Sequence, residues 1–346
     1  MINIKEITPE VYESFIASHE EASPYHNKAW CEAVTTAYGF GMKYFGFMKA
    51  GELVGVLPSI IMNKPFGQKT VCSLPYCDLG GIACNDQTLV SDAESALSKY
   101  VSSLGYALEY RKGKYEKLED ESELKDGQKV RMLYELLDDV DAQLARFKPK
   151  LRSQIKKAMK NGVEAEVISL PNSDQFDEFY SVFTTNMRDL GSPVHSLDWF
   201  KEIFRAYSNQ AFMVLVRFEG KCVGGGIVIH TKSKAVIPWA STLRSHNKLA
   251  PNMLLYWEVL SEVIRRGIIQ FDFGRSGYNE GTYRFKKQWG AVPSPITWQH
   301  LEDVKLVDDI AGEKSAARAK VEKIWQTLPV SITSVVGPKI RKYISL

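Results

Sequence analysis

The chain has 346 residues, a formal net charge of +3 and 45% hydrophobic residues, seven of them tryptophan. That length exceeds the size at which a single core usually keeps growing, and this apolar content excludes a largely disordered protein. The near balance of charge excludes a global field as the basis of anion binding, so any such role needs local clusters.

The start, MINIKEITPEVYESF, reads as an alternating strand and an acidic helix, without the basic, apolar and small-residue series of a signal peptide. No window holds the roughly eighteen apolar residues that a membrane-spanning helix needs. A helix is predicted over Asn27 to Tyr38, with Trp30, Val34 and Ala37 on one face. Next comes a hairpin, Tyr44 to Ile61, then the loop SLPYCDLGG from Ser73 to Gly81, and a helix-period segment from Asp86 to Leu104. The acidic LLDDVD near Asp138 gives way to a basic run around Pro149, a natural join between domains at 1–142 and 143–302.

That run holds seven basic residues between Arg146 and Lys160. On a helix, Leu151, Ile155 and Met159 share the buried face while Arg152, Lys156 and Lys160 form a cationic ridge, read either as a solvated face or as a phosphate contact. Helices follow at Asp174 to Arg188 and Leu197 to Tyr207, then a second hairpin, Phe212 to Ile229. Laying Gly51 on Gly220 and Gly55 on Gly224 aligns the two hairpins, each with a glycine turn and a V-G in its second strand. Each is followed by strand, helix and strand, so the fold class is mixed α/β with two tandem domains of one type. The tail, 303–346, carries Trp325, a mild apolar run and terminal cations, with Pro329 and Pro338 breaking a continuous helix. It suits either an interfacial segment on an anionic membrane or a segment packed on the protein.

The chemistry concentrates in FDFGRSGYNEGTYRFKKQWGA, Phe271 to Ala291. Asp272 interrupts an apolar strand, and Arg275, Tyr278, Tyr283, Arg284, Lys286 and Lys287 follow in a loop between glycines. Strand ends that open into such loops are where α/β folds place ligands, although a structural Asp–Arg pair with a solvated loop has the same composition. Elsewhere the signals are negative. There is no G-x-S-x-G, no convincing set of nucleophile and histidine, and no C-x-x-C among five cysteines, which reads as a reducing cytosol without zinc. The Gly224–Gly226 run lies inside a strand and makes no phosphate loop, and no glycine opens the helix after Thr242, where Pro251 and Asn252 supply capping chemistry instead.

The order D-x-G, a polar loop, then T-Y-x-F-K-x-x-W-G resembles the C-terminal signature of the Fem family of aminoacyl transferases. It is more similar still to the FemAB-like, GNAT-related proteins encoded with exopolysaccharide and exosortase systems, over about Tyr25 to Trp298. The resemblance implies tandem GNAT-like domains and transfer of an aminoacyl or acyl group to an amine of an envelope precursor, a peptidoglycan stem peptide or an exopolysaccharide amino sugar. It places Lys286 at the donor end, stabilising developing charge, with Asp272 and Arg275 beside it; Asp272 either orients Arg275 or takes a proton. Lys287 is expected to face outward. Arg188 matches the T-x-x-R arginine, and Tyr76 and Asp78 lie in the loop that resembles the acceptor-side P-R-G-P, without its arginine. Trp239, Tyr278, Tyr283 and Arg284 complete the candidate substrate contacts. The long charged arm of some Fem enzymes is missing, so aminoacyl-tRNA, acyl-CoA and acyl carrier protein all remain candidate donors, with no tightly bound cofactor or metal expected. The implied setting is cytoplasmic, with 325–346 on the inner membrane face; a non-catalytic scaffold in polysaccharide assembly is the rival reading.

Overall fold

The computed structural model describes residues 1–65, 67–113, 117–118, 120–308 and 316–345. In chain order the first elements are β1 (Asn3–Ile7), α1 (Pro9–Ala17), α2 (Lys28–Tyr38), β2 (Gly41–Lys49), β3 (Glu52–Asn63), β4 (Lys69–Cys72), β5 (Ala83–Cys84), α3 (Val90–Ser103) and β6 (Ala107–Gly113). Then come β7 (Lys129–Glu135), α4 (Val140–Arg146), α5 (Pro149–Lys160), β8 (Val163–Ile168), α6 (Ser173–Asp189), α7 (Leu197–Tyr207), β9 (Ala211–Phe218), β10 (Lys221–His230) and β11 (Lys234–Thr242). The last are α8 (Pro251–Arg265), β12 (Gln270–Gly277), α9 (Gly281–Gln288), β13 (Val292–Glu302), β14 (Lys305–Asp308), α10 (Ala316–Thr327) and α11 (Val330–Arg341). The mixed α/β class expected from the sequence is the class observed.

Two compact units result. Unit 1 comprises 1–116, 294–311 and 342–346; unit 2 comprises 117–293 and 312–341. In unit 1, β1, β2, β3, β4, β6 and β13 lie side by side, with β14 on β13 and β5 on β3. In unit 2 the order is β7, β12, β11, β10, β9, β8. Phe45, Phe47, Leu57, Val71, Leu97 and Leu108 are core residues of unit 1. The core of unit 2 sets α5 and α8 against the sheet, and α8 buries ten of its fifteen residues.

The hairpin repeat extends to details of the backbone. Both turns use two residues with positive φ, Ala50–Gly51 (51° and 89°) and Glu219–Gly220 (49° and 73°), the type I′ geometry that matches strand twist. Each second strand then bulges at the same place. Val54 is skipped between Met48↔Leu53 and Phe47↔Gly55, and Val223 between Cys222↔Arg217 and Gly224↔Val216. Both bulged carbonyls are reused, that of Val54 accepting from the Asn85 amide at 3.0 Å and that of Val223 from Leu243 at 2.9 Å. The V-G pair therefore marks a bulge, and its glycine lets the next segment approach. A Cβ on Gly55 would lie 2.8 Å from Cys84 Sγ and 3.0 Å from the Ala83 carbonyl. Gly55→Ala is thus expected to cost about 1–3 kcal/mol by overpacking, seen as a lower midpoint in thermal unfolding; an unchanged midpoint would mean that β5 yields freely.

Parallel pairing repeats as well. In each unit the parallel ladder is three residues long, Thr70↔Ala107 to Cys72↔Glu109 and Lys234↔Gln270 to Val236↔Asp272. The third pair carries a carboxylate in both, Glu109 and Asp272. In unit 2 both strands run on beyond it, β11 to Thr242 and β12 to Gly277, so they part and leave an opening at their C-terminal ends.

Three local expectations change. Met159 is exposed and Ala158 takes its place in the buried face of α5, because α5 meets α8 and β8 along the 151/155/158 stripe. Trp325 is buried toward the protein, 3.6 Å from where a Cβ on Gly337 would stand, so it is not an outward anchor. Pro329 separates α10 from α11, whereas Pro338 lies within α11.

Candidate active site

Just beyond its last pair with β11, Val236↔Asp272, β12 breaks. Its pairing with β7 shifts between Asp272↔Leu133 and Arg275↔Arg131, and Gly274 sits there at φ +75°. Asp272 is fully buried and holds the break: one carboxylate oxygen accepts from the Gly274 amide at 2.8 Å, the other faces the equally buried Arg131 guanidinium at 3.4 Å. A buried charge needs such pairing, since the cost of dehydrating it unpaired is prohibitive.

Lys286 closes the same break from the other side. It lies on α9, not on a turn or strand, and its buried ammonium donates to the Gly274 carbonyl at 2.9 Å and the Arg275 carbonyl at 2.8 Å. Helical spacing explains the rest of the F-K-x-x-W-G block. Phe285 and Trp289, four residues apart, share a face and meet Tyr256 at 5.1 Å and 6.2 Å between ring centroids. Gly290 adopts φ +94°, and a Cβ there would stand 2.8 Å from the Tyr134 ring. Every fixed letter of that block has a packing or bonding role.

Lys287 points out of the helix to Glu121 at 2.7 Å, and the Tyr283 hydroxyl donates to the same carboxylate at 2.8 Å. Burial pushes the Glu121 carboxyl up, but the Lys287 and Tyr283 donors outweigh it and hold the group below its ordinary value. Tyr278 meets Tyr283 edge-on at 5.0 Å, while Arg275 and Arg284 are exposed. Trp239 packs with Phe200 and Trp199 at 5.2 and 6.0 Å. Arg188 bonds Asp189 at 2.6 Å and the Leu328 carbonyl at 3.2 Å, next to the end of α10. Lys286, Asp272 and the Arg275 backbone thus share one break, with Tyr278 in the turn between β12 and α9 and Tyr283 on α9. Trp239 and Arg188 are placed on other contacts of unit 2, and Tyr76 and Asp78 belong to unit 1. Arg131 and Glu121 were not singled out from sequence. A charge inside the apolar strand KVRMLYE is the sign that could have flagged Arg131.

The helix after β11 departs from the capping expectation. Its cap residue is Ala250 at φ +58° and no side chain bonds its first turn; Pro251 does occupy the first helical position, but Asn252 does not cap. Amides at such a helix start carry partial positive charge.

A protein-family profile described as an acetyltransferase (GNAT) domain matches residues 145–287, from α4 through α9. The fold is similar to that of FemX, at 13% identity over 94% of this chain and 100% of FemX, with a TM-score of 0.65. L-PGS from Bacillus licheniformis matches at 10% identity over 99% of this chain and 98% of its own, TM-score 0.55. A tandem GNAT protein from the clavulanic acid biosynthesis pathway matches at 9% over 87% and 97%, TM-score 0.53. No curated protein matches. The likenesses establish a GNAT-related tandem fold, as the hairpin repeat anticipates.

Side-chain nucleophiles are poorly served. Burial pushes the Cys31 and Cys72 thiols up to about 12 and Cys222 to about 11. His26 accepts from the Ser23 amide through Nδ1, so its Nε2–H donates to the Gly81 carbonyl at 2.9 Å. His195 is buried, and burial holds its imidazole well below the ordinary value. Among the described residues, no helix is long and apolar enough to cross a membrane and no three metal-ligating side chains cluster.

Proposed function

We propose that the protein is an N-acyltransferase of FemAB type, moving an aminoacyl or acyl group onto an amine of a cell-envelope precursor, a stem peptide or an exopolysaccharide amino sugar. The observation that carries this reading is the break in β12, just past its last pair with β11, where two carbonyls fix a lysine ammonium. Direct transfer needs no protein nucleophile: the neutral amine attacks the acyl carbon, the oxyanion collapses by breaking the bond to the donor's ester oxygen or thioester sulfur, and the proton lost by the amine leaves with the donor as its alcohol or thiol, while the site aligns the two and stabilises the oxyanion. Lys286 is the cation offered for that charge. Asp272 and Arg131 keep the break that holds it, and Tyr278, Tyr283, Arg275 and Arg284 are offered as contacts to the substrates. The three donor classes, aminoacyl-tRNA, acyl-CoA and acyl carrier protein, all bear phosphate, which the side-chain-free start of α8 suits. The test is a mass-spectrometric screen of the three donors against amine-bearing envelope precursors. Transfer from one donor class supports the reading; none from any, with the protein natively folded, favours a scaffold role.

The tail supports placement at the inner membrane face. The inner sides of α10 and α11 are buried through Trp325, Thr333 and Gly337. Their outer sides expose Val321 (62%), Ile324 (63%), Ile332 (46%) and Val335 (61%) beside Lys320, Lys323 and Lys339. Apolar contact plus cations is what binds an anionic interface. Ile324→Asp with Val335→Asp is expected to abolish co-sedimentation with phosphatidylglycerol vesicles; sedimentation equal to that of the unaltered chain would remove the membrane from the proposal.

A further inference from the structure

Glu109 of unit 1, the counterpart of Asp272 in the repeat, does not face a lysine from a following helix. It pairs through one oxygen with Lys64, from the segment between β3 and β4, and through the other it faces residues 342–345. The Ser345 hydroxyl donates to Glu109 and accepts from Arg111 at 2.9 Å, while Arg111, only 2% exposed, lies with its guanidinium 5.0 Å above the Trp298 ring. The Ser345 carbonyl accepts from the Tyr76 amide at 2.7 Å, and the Tyr76 hydroxyl donates to the Lys342 carbonyl. Tyr343 meets Phe40 edge-on at 6.2 Å between ring centroids.

Two features distinguish this from ordinary packing of a chain segment. Tyr76 is held at φ +67°, a left-handed backbone that a bulky aromatic adopts only at a cost, and that conformation accompanies an amide donating to the incoming carbonyl. The recognising groups also form a complete set for a short peptide: a backbone donor and a hydroxyl for two carbonyls, the buried Arg111 with the half-buried Glu109 for a side-chain hydroxyl, and a ring for an aromatic residue two positions before it. Ser73 reinforces the frame, its amide donating to the Glu109 carbonyl and its hydroxyl accepting from the Arg111 amide at 2.8 Å.

We propose that the loop from Ser73 to Gly81 together with β6 is a peptide-binding site, that its ligand is a short peptide with an aromatic residue two positions before a hydroxyl residue, and that residues 342–345 occupy it as a tethered stand-in. The inference concerns binding alone and stands whether or not the protein transfers acyl groups. A tethered occupant competes at an effective concentration on the order of millimolar, so a free peptide is excluded until the tether is weakened.

The test uses the full chain and a fluorescent peptide of the sequence Ile-Arg-Lys-Tyr-Ile-Ser-Leu, titrated by anisotropy. The chain carrying Tyr343→Ala and Ser345→Ala is expected to bind the peptide at least about tenfold more tightly than the unaltered chain. Adding Glu109→Gln to that variant should reverse the gain. Amide exchange at Tyr76 should quicken in the double variant and slow again when peptide is added. Should the double variant keep native near-ultraviolet dichroism yet bind no peptide, or should the Tyr76 amide exchange at one rate throughout, the segment is packing and the site is not one.

Discussion

Arg131→Met is expected to lower the unfolding free energy by about 3–5 kcal/mol, the range for removing one partner of a buried ion pair. Both side chains are essentially inaccessible, at 0% and 1% exposure, so little water can replace the guanidinium at Asp272. The carboxylate keeps the Gly274 amide, so the break in β12 is expected to loosen without all of its bonds being lost. Combining Arg131→Met with Asp272→Leu should recover a large part of the loss, because an apolar pair of similar volume avoids dehydrating two charges. Denaturant unfolding of the two single variants and the double closes the cycle. A single-variant loss below about 1 kcal/mol would mean that the pair is open to solvent in solution.

Lys286→Met, near in shape and without charge, is expected to reduce transfer by about 100- to 1,000-fold, the usual effect of removing one oxyanion-stabilising donor. The loss should fall on kcat with little change in KM, since the ground-state acyl oxygen carries little charge. Lys287→Met serves as the comparison. Its ammonium is bonded to the exposed-side carboxylate of Glu121, and activity within a few-fold of the unaltered chain is expected. Equal losses in both variants would show that α9 matters for its fold and not for the Lys286 charge. Because Lys286 also latches the Gly274 and Arg275 carbonyls, unfolding midpoints of both variants need measuring beside the rates.

Much of the frame was legible because local rules act alone there. Two-residue glycine turns set both hairpins, and 3.6-residue periodicity placed α2, α6 and α7 within a residue or two. The block around Lys286 reads less well. Glycines on both sides suggest a turn, yet Phe285 and Trp289 at i,i+4 were the sign of the helix that forms. Long-range pairing left no local trace: Arg131 and Asp272 are 141 positions apart, and Glu109 and Ser345 are 236 apart. A lone charge in an apolar strand announces that a partner exists but not where in the chain it lies. Outward or inward facing of Met159 and Trp325 likewise depended on which neighbour arrived, α8 for one and Gly337 for the other.

The order of strands has a consequence for how the protein is made. Gly113 of β6 takes Ile296 of β13 as its antiparallel neighbour, and all of β7 through α9 is synthesised between them. At about 5–20 residues per second the ribosome needs on the order of 10–40 s to bridge that interval. Throughout it, the nascent first sheet presents β6, with Leu108 and Tyr110 among its side chains, as a bare edge, the kind that recruits stray strands. Ribosome-associated chaperones are therefore expected to matter most to this chain in the window after Gly113 emerges, and a stalled or prematurely ended product of about 200 residues should aggregate where the whole chain does not.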